Sequence, residues 1–134
     1  PFIAYTSLLK MSLNYGKQVN RENTVASSLL HAVTFMPQRP EGQFLLARYY
    51  ERNKKWQEAY TVASTGLMFA QNTYNNPLPA YVEYNGTYCL LFEKAVAGWW
   101  LGQKDESKII FEDLLKQDIT QEYRVAIESN LKLY

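Results

Sequence analysis

The sequence predicts an all-α chain of about seven helices, paired as antiparallel hairpins. Apolar residues recur three or four positions apart through most of the chain, which is the spacing of one face of an α-helix. Prolines and glycines stand at the ends of these apolar stretches, where helices stop. A pattern of small and large apolar residues also returns after about 34 residues, a period typical of helical repeats.

Size and charge narrow the class of protein. A chain of 134 residues with 47% hydrophobic residues can bury one core, so residues 1–134 are expected to form a single domain. Fourteen Lys and Arg are spread among thirteen Asp and Glu without a basic run, so we expect no nucleic-acid partner. The sequence has no apolar run of about 18 residues, so we expect no membrane span.

Three further features bear on the origin and location of the chain. The single cysteine, Cys89, cannot form an internal disulfide, which favours a reducing compartment such as the cytoplasm. The chain begins at Pro1 rather than Met, which suggests a piece of a longer protein. Phe2, Ile3 and Leu9 would be exposed on an uncovered first helix, so we expect either a missing N-terminal portion or a homo-oligomer.

The first predicted hairpin covers residues 2–36. Residues 2–15 carry the apolar spacing of an amphipathic helix, and Gly16 is placed to cap its C-terminus. A second helix is expected from about Asn20 or Asn23. Pro37 ends it, because proline lacks the backbone donor and clashes with the preceding turn.

The second predicted hairpin is the most regular part of the chain. Its first helix is Pro40–Arg52, its turn is the polar stretch 53–55, and its second helix runs from Trp56 to Ala70. A glycine inside a helix costs about 1 kcal/mol relative to alanine. Gly66 therefore predicts a close contact between helices.

An insertion separates this hairpin from the rest of the chain. The stretch 71–83 contains Pro77 and Pro79, so it cannot form a continuous helix. Helical spacing resumes near Tyr84 and continues to Trp100.

Two further helices complete the prediction. Gly102 is placed to cap the helix before it, and Asp105 to start the next helix, which continues to Leu115. Thr120 is placed to cap a closing helix that ends near Leu131.

The small and large apolar residues of the central hairpin match the signature of a tetratricopeptide (TPR) repeat. The matching positions are Leu46, Ala47 and Tyr50 on the first helix, and Ala59, Ala63 and Gly66 on the second. About 34 residues earlier, Val25, Leu29, Ala32 and Pro37 fit the second half of a preceding repeat. The resemblance implies TPR-like antiparallel hairpins stacked as a short right-handed α-solenoid.

A second resemblance concerns a longer stretch of the sequence. The segments PQRPEGQFLLARYYERNKKWQEAYTVASTGL and AVAGWWLGQKDESKIIFEDLL resemble the irregular TPR-like region beside inverting, nucleotide-sugar-dependent glycosyltransferase domains. The likeness covers roughly residues 30–134. It implies a non-catalytic module that packs on or positions the catalytic domain or its acceptor. The chain has no Asp-x-Asp motif and no strand-rich nucleotide-binding half, so the sugar-transfer chemistry is expected outside it.

The sequence offers no constellation for catalysis, so we predict no catalytic, cofactor-binding or metal-binding residue in this chain. Cys89 is flanked by apolar residues and is expected to be a core residue. His31 has no second histidine nearby and is expected to be a packed or partly exposed helix residue.

The concave side of the predicted solenoid is the expected binding surface, because the first helix of each hairpin lines it. The candidate groove residues are Phe44, Arg48, Glu51, Arg52, Trp99 and Trp100, and the neighbouring positions Glu41, Phe92 and Val96 share their predicted face. Such a basic and aromatic floor suits an extended peptide or a carboxylate. The alternative for Trp99 and Trp100 is packing against the neighbouring hairpin.

Two functions follow from these predictions. The chain is expected to be the helical module of a larger glycosyltransferase, with its own catalytic domain as the protein partner. The alternative is a free-standing scaffold that binds another polypeptide in the concave groove. An independent enzyme is the weakest hypothesis, because the sequence shows no titratable cluster.

Overall fold

A computed structural model describes residues 1–15, 22–70 and 77–134, and every regular element in these ranges is an α-helix. The seven helices of the described residues are α1 (Phe2–Tyr15), α2 (Glu22–Phe35), α3 (Pro40–Arg52), α4 (Trp56–Met68), α5 (Thr87–Trp100), α6 (Lys104–Leu114) and α7 (Gln121–Leu131). The all-α prediction is therefore confirmed. None of the helices in these ranges has the length and apolar character needed to cross a bilayer.

Most helix ends agree with the local sequence signals. The ends of α3 are as predicted, and α4 ends two residues before the predicted Ala70. Gly102 has a φ of +86°, which is the left-handed conformation expected at a helix C-terminus. Thr120 is the residue at the N-cap of α7, as predicted. Gly16 and residues 71–76 of the predicted insertion lie outside the described residues.

Two predicted helix starts are wrong. The helix expected near Tyr84 begins at Thr87, because Gly86 immediately before it has a φ of +153°, far from helical values. Asp105 is not an N-cap, since α6 begins at Lys104 with Gln103 at the cap position. Asp105 instead lies in the first turn, where its carboxylate interacts favourably with the positive end of the helix dipole.

Consecutive helices pack against one another along the chain. Contacts join α1 to α2, α3 to α4, α4 to α5, α5 to α6 and α6 to α7, and α2 also meets α3. Helix α3 additionally contacts α5 directly, although α4 lies between them in sequence. This contact brings side chains of α3 and α5 to one face of the molecule.

The apolar side chains form two core clusters. The larger cluster joins α1–α5 and is built on fully or almost fully buried residues, among them Tyr5, Leu9, Leu29, Phe44 and Leu90. The smaller cluster joins α5–α7 and contains Ala95, Phe111, Leu114, Ile119 and Ile127. Tyr88 and Tyr123 pack against both clusters, so α5 and α7 connect them.

Gly66 marks the close contact that the sequence predicted. A Cβ atom added there would lie 2.8 Å from Leu90 Cδ2 on α5 and 2.9 Å from Gln43 Cβ on α3. Both distances are shorter than carbon atoms tolerate without movement. The glycine therefore lets α4 pack closely against α3 and α5 together.

Candidate binding cleft

A cleft of about 230 Å³ opens where α3, the non-helical segment 77–86, α5 and α7 meet. Its charged and aromatic lining residues are Arg48, Glu51 and Arg52 from α3, Tyr81 and Glu83 from the segment, Phe92 and Glu93 from α5, and Glu122 and Tyr123 from α7. The α3 residues share one helix face because they stand three and four positions apart. We call this site the cleft.

Glu93 is the most buried charged residue of the cleft. The residue is only 3% exposed, and its Oε2 atom has no hydrogen-bond partner among the described residues. Burial, and to a smaller extent the nearby Glu51 carboxylate, raises the pKa of Glu93 to about 8 against the opposing charges of Arg48 and Arg52. Most of the Glu93 carboxyl is therefore protonated at neutral pH.

Arg48 is held in place by two contacts. Its Nη1 lies 3.3 Å from Oε1 of Glu83, and its Cζ lies 5.2 Å from the ring centroid of Phe44. Glu83 adopts a φ of +69°, a left-handed conformation that costs a non-glycine residue about 1–2 kcal/mol. The surrounding structure thus keeps a strained residue in position beside the arginine.

Tyr123 forms the wall contributed by α7. Its ring meets the rings of Tyr88 and Phe92 edge-on, with centroid distances of 5.2 Å and 5.1 Å. Its hydroxyl is hydrogen-bonded to Cys89, and burial is the main reason that the pKa of Tyr123 lies far above its usual value. The fully buried Cys89 is a core residue, as predicted.

The position of α7 is fixed by an arginine that reaches back to the end of α6. Arg124 donates hydrogen bonds to the carbonyl oxygens of Leu115 at 2.9 Å and Gln117 at 3.1 Å. Carbonyls at a helix C-terminus have no partner inside the helix, so a guanidinium group there stabilises the helix end. The neighbouring residue Tyr123 is thereby directed into the cleft.

Three of the predicted groove residues line the cleft, and one lies beneath it. Arg48, Glu51 and Arg52 are brought together as the helical spacing predicted, and Phe92 joins them from α5. Phe44 is fully buried under Arg48, and its ring packs against that of Tyr84 with a distance of 5.7 Å between the ring centroids. It supports the cleft from the core instead of lining it.

Trp99 and Trp100 lie away from the cleft. Trp100 stacks on Trp56 of α4, with ring centroids 5.0 Å apart and an interplanar angle of 7°. Trp99 meets Trp100 edge-on at 4.9 Å, and Lys104 Nζ lies 4.7 Å from a Trp99 ring. Trp100 thus shows the packing against the preceding hairpin that the sequence left open. A role of Trp99 and Trp100 in partner binding stays a prediction.

The cleft contains more acid than the sequence indicated. Its lining has four glutamates and two arginines, whereas the prediction was a basic and aromatic floor. Sequence reasoning missed Glu83, Glu93 and Glu122. One signal for Glu93 was available: it follows the fully buried Cys89 and Leu90 by four and three positions, so the helical repeat places it on a buried face.

Two further predictions concern His31 and metal ligands. His31 is exposed on α2. Within residues 1–15, 22–70 and 77–134, no group of three or more His, Cys, Asp or Glu is arranged to hold a metal ion.

Comparison of the chain with protein-family models, with curated proteins and with solved structures finds no match.

Proposed function

We propose that this chain is a non-catalytic binding module whose TPR-like hairpins stack as a short right-handed solenoid and hold a polypeptide partner in the cleft. The observation that carries the proposal is the meeting of α3 and α5 at one cleft. These are the first helices of two successive hairpins, and in stacked repeats the first helices line the concave surface. Arg48, Glu51 and Arg52 supply charged groups that can pair with a peptide.

We further propose that the module belongs to a larger glycosyltransferase, where it packs on or positions the catalytic domain or its acceptor. The support is the resemblance over residues 30–134 described above. A cytoplasmic location is part of the proposal and is supported by the lone, buried thiol of Cys89. The alternative, a free-standing scaffold for another polypeptide, is favoured by the predicted peptide-contacting residues that line the cleft.

The intact mass of the native protein separates these two roles. The protein would be captured from its source with an antibody raised against this chain. A mass near 15.6 kDa would support the free-standing scaffold, whereas a much larger mass together with sugar-transfer activity would support the glycosyltransferase module. Calorimetry adds a second test, because measurable binding of a sugar nucleotide to this chain alone would contradict a purely accessory role.

Charge reversal tests the cleft as the binding surface. The double variant Arg48→Glu with Arg52→Glu should lose capture of any polypeptide that the wild-type chain retains, because both guanidinium groups lie in the cleft. The matched control is Lys108→Glu with Lys116→Glu, two exposed positions on and just after α6. Equal capture by both double variants, with circular dichroism showing intact helices, would contradict pairing of the polypeptide with Arg48 and Arg52.

A further inference from the structure

The feature that the fold does not explain is the Glu93 carboxyl. A carboxyl group that is removed from water needs a hydrogen-bond donor or a cation to compensate for its lost hydration. Within the described part of the chain, Oε2 of Glu93 has no hydrogen-bond partner, although the residue is only 3% exposed. The positive charges of Arg48 and Arg52 offset only part of the cost of burial, since the pKa of Glu93 stays raised. Because Glu93 also lines the cleft, a ligand that enters the cleft can supply the missing donor.

We propose that the cleft recognises a cationic nitrogen group, the ammonium or guanidinium group of a Lys or Arg side chain on the bound polypeptide, and that Glu93 is the carboxylate that pairs with it. The inference rests on the proposed function, since it names the chemistry by which the cleft holds its partner. Both groups offer several N–H donors and a positive charge to a carboxylate.

The charges of the cleft favour a cation over an anion. Four glutamates face two arginines, and Arg48 is already engaged by the Glu83 carboxylate and the Phe44 ring. Burial raises the pKa of Glu51, and the positive charge of the nearby Arg52 opposes this rise. An anionic ligand would therefore meet acid at the base of the cleft and an arginine that is already paired.

The shape and the walls of the cleft suit the end of a single side chain. Its volume of about 230 Å³ is below the range of roughly 300–1,000 Å³ that is usual for drug-sized ligands. The rings of Tyr81, Phe92 and Tyr123 line it beside Glu93. Aromatic faces attract ammonium and guanidinium groups, so these rings and the carboxylate favour the same class of ligand.

Binding of a cation must be coupled to loss of a proton from Glu93. Titratable and charged groups surround this carboxyl from every neighbouring element. They are Arg48, Glu51 and Arg52 on α3, Glu83 in the segment 77–86, Glu122 and Tyr123 on α7, and Cys89 on its own helix. Because the pKa of Glu93 is about 8, only a minority of the free chains carry the anion at neutral pH. The affinity for a cation should therefore increase about tenfold from pH 7 to pH 9, where the ligand ammonium stays charged.

Nuclear magnetic resonance titration of the chain tests this inference directly. The probes are N-acetyl-lysine methylamide, N-acetyl-arginine methylamide and, as the neutral control of equal length, N-acetyl-norleucine methylamide. We expect saturable amide shifts around the cleft with a cationic probe and not with the norleucine probe. Comparison of the lysine and arginine probes distinguishes recognition of an ammonium group from recognition of a guanidinium group. The ¹³C carboxyl signal of Glu93 should titrate at lower pH when the cation is bound.

The variant Glu93→Gln should weaken cation binding about tenfold or more and remove its pH dependence, because the amide keeps the size of the side chain but never ionises. The matched control Glu112→Gln changes an exposed residue of α6 and should bind like the wild type. Equal shifts with the norleucine probe, unchanged binding by Glu93→Gln, or no saturable binding of either cationic probe would overturn the inference. Saturable shifts with a methyl glycoside alone would make the cleft a carbohydrate site instead.

The two proposals fail in different ways. If a captured polypeptide is lost with the Arg48 and Arg52 double variant but survives Glu93→Gln, the proposed function stands and the cation inference is wrong. If both the double variant and Glu93→Gln retain the polypeptide as the wild type does, the cleft is not the binding surface and the proposed function is wrong.

Discussion

Two buried glutamates of this chain, Glu41 and Glu93, have almost the same exposure, 2% and 3%, but very different surroundings. Glu41 stands at the junction of α2 and α3, where Arg39 donates two hydrogen bonds to its carboxylate at 3.1 Å and 2.6 Å. Glu93 stands in the cleft, where its Oε2 has no such donor among the described residues. The comparison separates a carboxylate that the fold satisfies from one that is left for a ligand.

The junction is closed by further contacts around Glu41. The Tyr5 hydroxyl accepts a hydrogen bond from the Gly42 backbone N–H at 2.7 Å and is itself hydrogen-bonded to the Glu41 carboxylate. A Cβ atom on Gly42 would lie 3.0 Å from this hydroxyl, so the glycine makes room for it. Burial is the largest reason that the pKa of Tyr5 is raised above its usual value. Donors and acceptors are matched here, as buried polar networks require.

The largest effect is expected from Arg39→Ala. Removing one partner of a buried ion pair leaves the other as an uncompensated buried charge, so the variant should lose about 3–5 kcal/mol of unfolding free energy. Urea denaturation followed by circular dichroism measures this loss. A loss below about 1 kcal/mol, the range of exposed ion pairs, would mean that the Arg39–Glu41 pair is not what satisfies the junction.

Glu93→Gln should increase the free energy of unfolding, whereas Arg39→Ala lowers it. The increase should depend on pH. The pKa of Glu93 is about 8 in the folded chain against 4.5 for the free side chain, so the folded state binds more protons between these values. Wild-type stability therefore falls as the pH rises through this window, and Glu93→Gln does not share this fall. Near pH 8 the variant should be the more stable by up to about 4 kcal/mol.

The measurement is a set of urea unfolding curves for both chains between about pH 4.5 and pH 9. At the acid end of this range the two chains should differ by less than about 0.5 kcal/mol, since Glu93 is then neutral in the folded chain and only about half ionised in the unfolded chain. A difference that stays constant with pH would show that ionisation of Glu93 is not the cause.

Tyr5→Phe should have an intermediate effect. The change removes the hydroxyl that bonds Gly42 and Glu41, and an unsatisfied buried group costs about 1–3 kcal/mol. Tyr81→Phe on the rim of the cleft is the matched control, because the Tyr81 residue is 61% exposed and its hydroxyl can be replaced by water. In thermal or urea unfolding, the free energy of unfolding should fall for Tyr5→Phe and stay within about 0.5 kcal/mol of the wild type for Tyr81→Phe. Equal effects would contradict a closed network at the junction.

Arg48→Met should have the smallest effect on stability. The carboxylate paired with Arg48 is partly in water, since the Glu83 side chain is 42% exposed, and such pairs contribute about 1 kcal/mol or less. The same variant should raise the pKa of Glu93 further, because it removes a nearby positive charge. Carboxyl NMR titration reads this pKa, and a lower value in the variant would contradict the charge assignment of the cleft.

Much of the fold could be predicted because its signals are local. The apolar spacing of Pro40–Arg52, the turn after it and the helical Gly66 depend on residues within a few turns of one another, and these features are found in the structure. Arg48, Glu51 and Arg52 were placed together for the same reason, since a helix puts residues three and four positions apart on one face.

The rest of the candidate site could not be predicted, because it depends on how distant helices meet. Glu83 reaches Arg48 only because the segment 77–86 takes a left-handed turn at that residue. Tyr123 reaches the cleft because α7 is held against the end of α6 by Arg124. Trp100 belonged to the predicted groove by its spacing, but it stacks on Trp56 of another hairpin.

The sequence by itself determined which stretches are helical and which side of each helix is apolar, because these properties depend on neighbours three and four positions apart. Only the tertiary structure decided which charges meet. Glu41 lies only two residues after Arg39 and pairs with it locally. Glu93 sits on a helix whose neighbours, α3 and α7, come from distant parts of the chain, and the distances between helices are set by packing across the whole core.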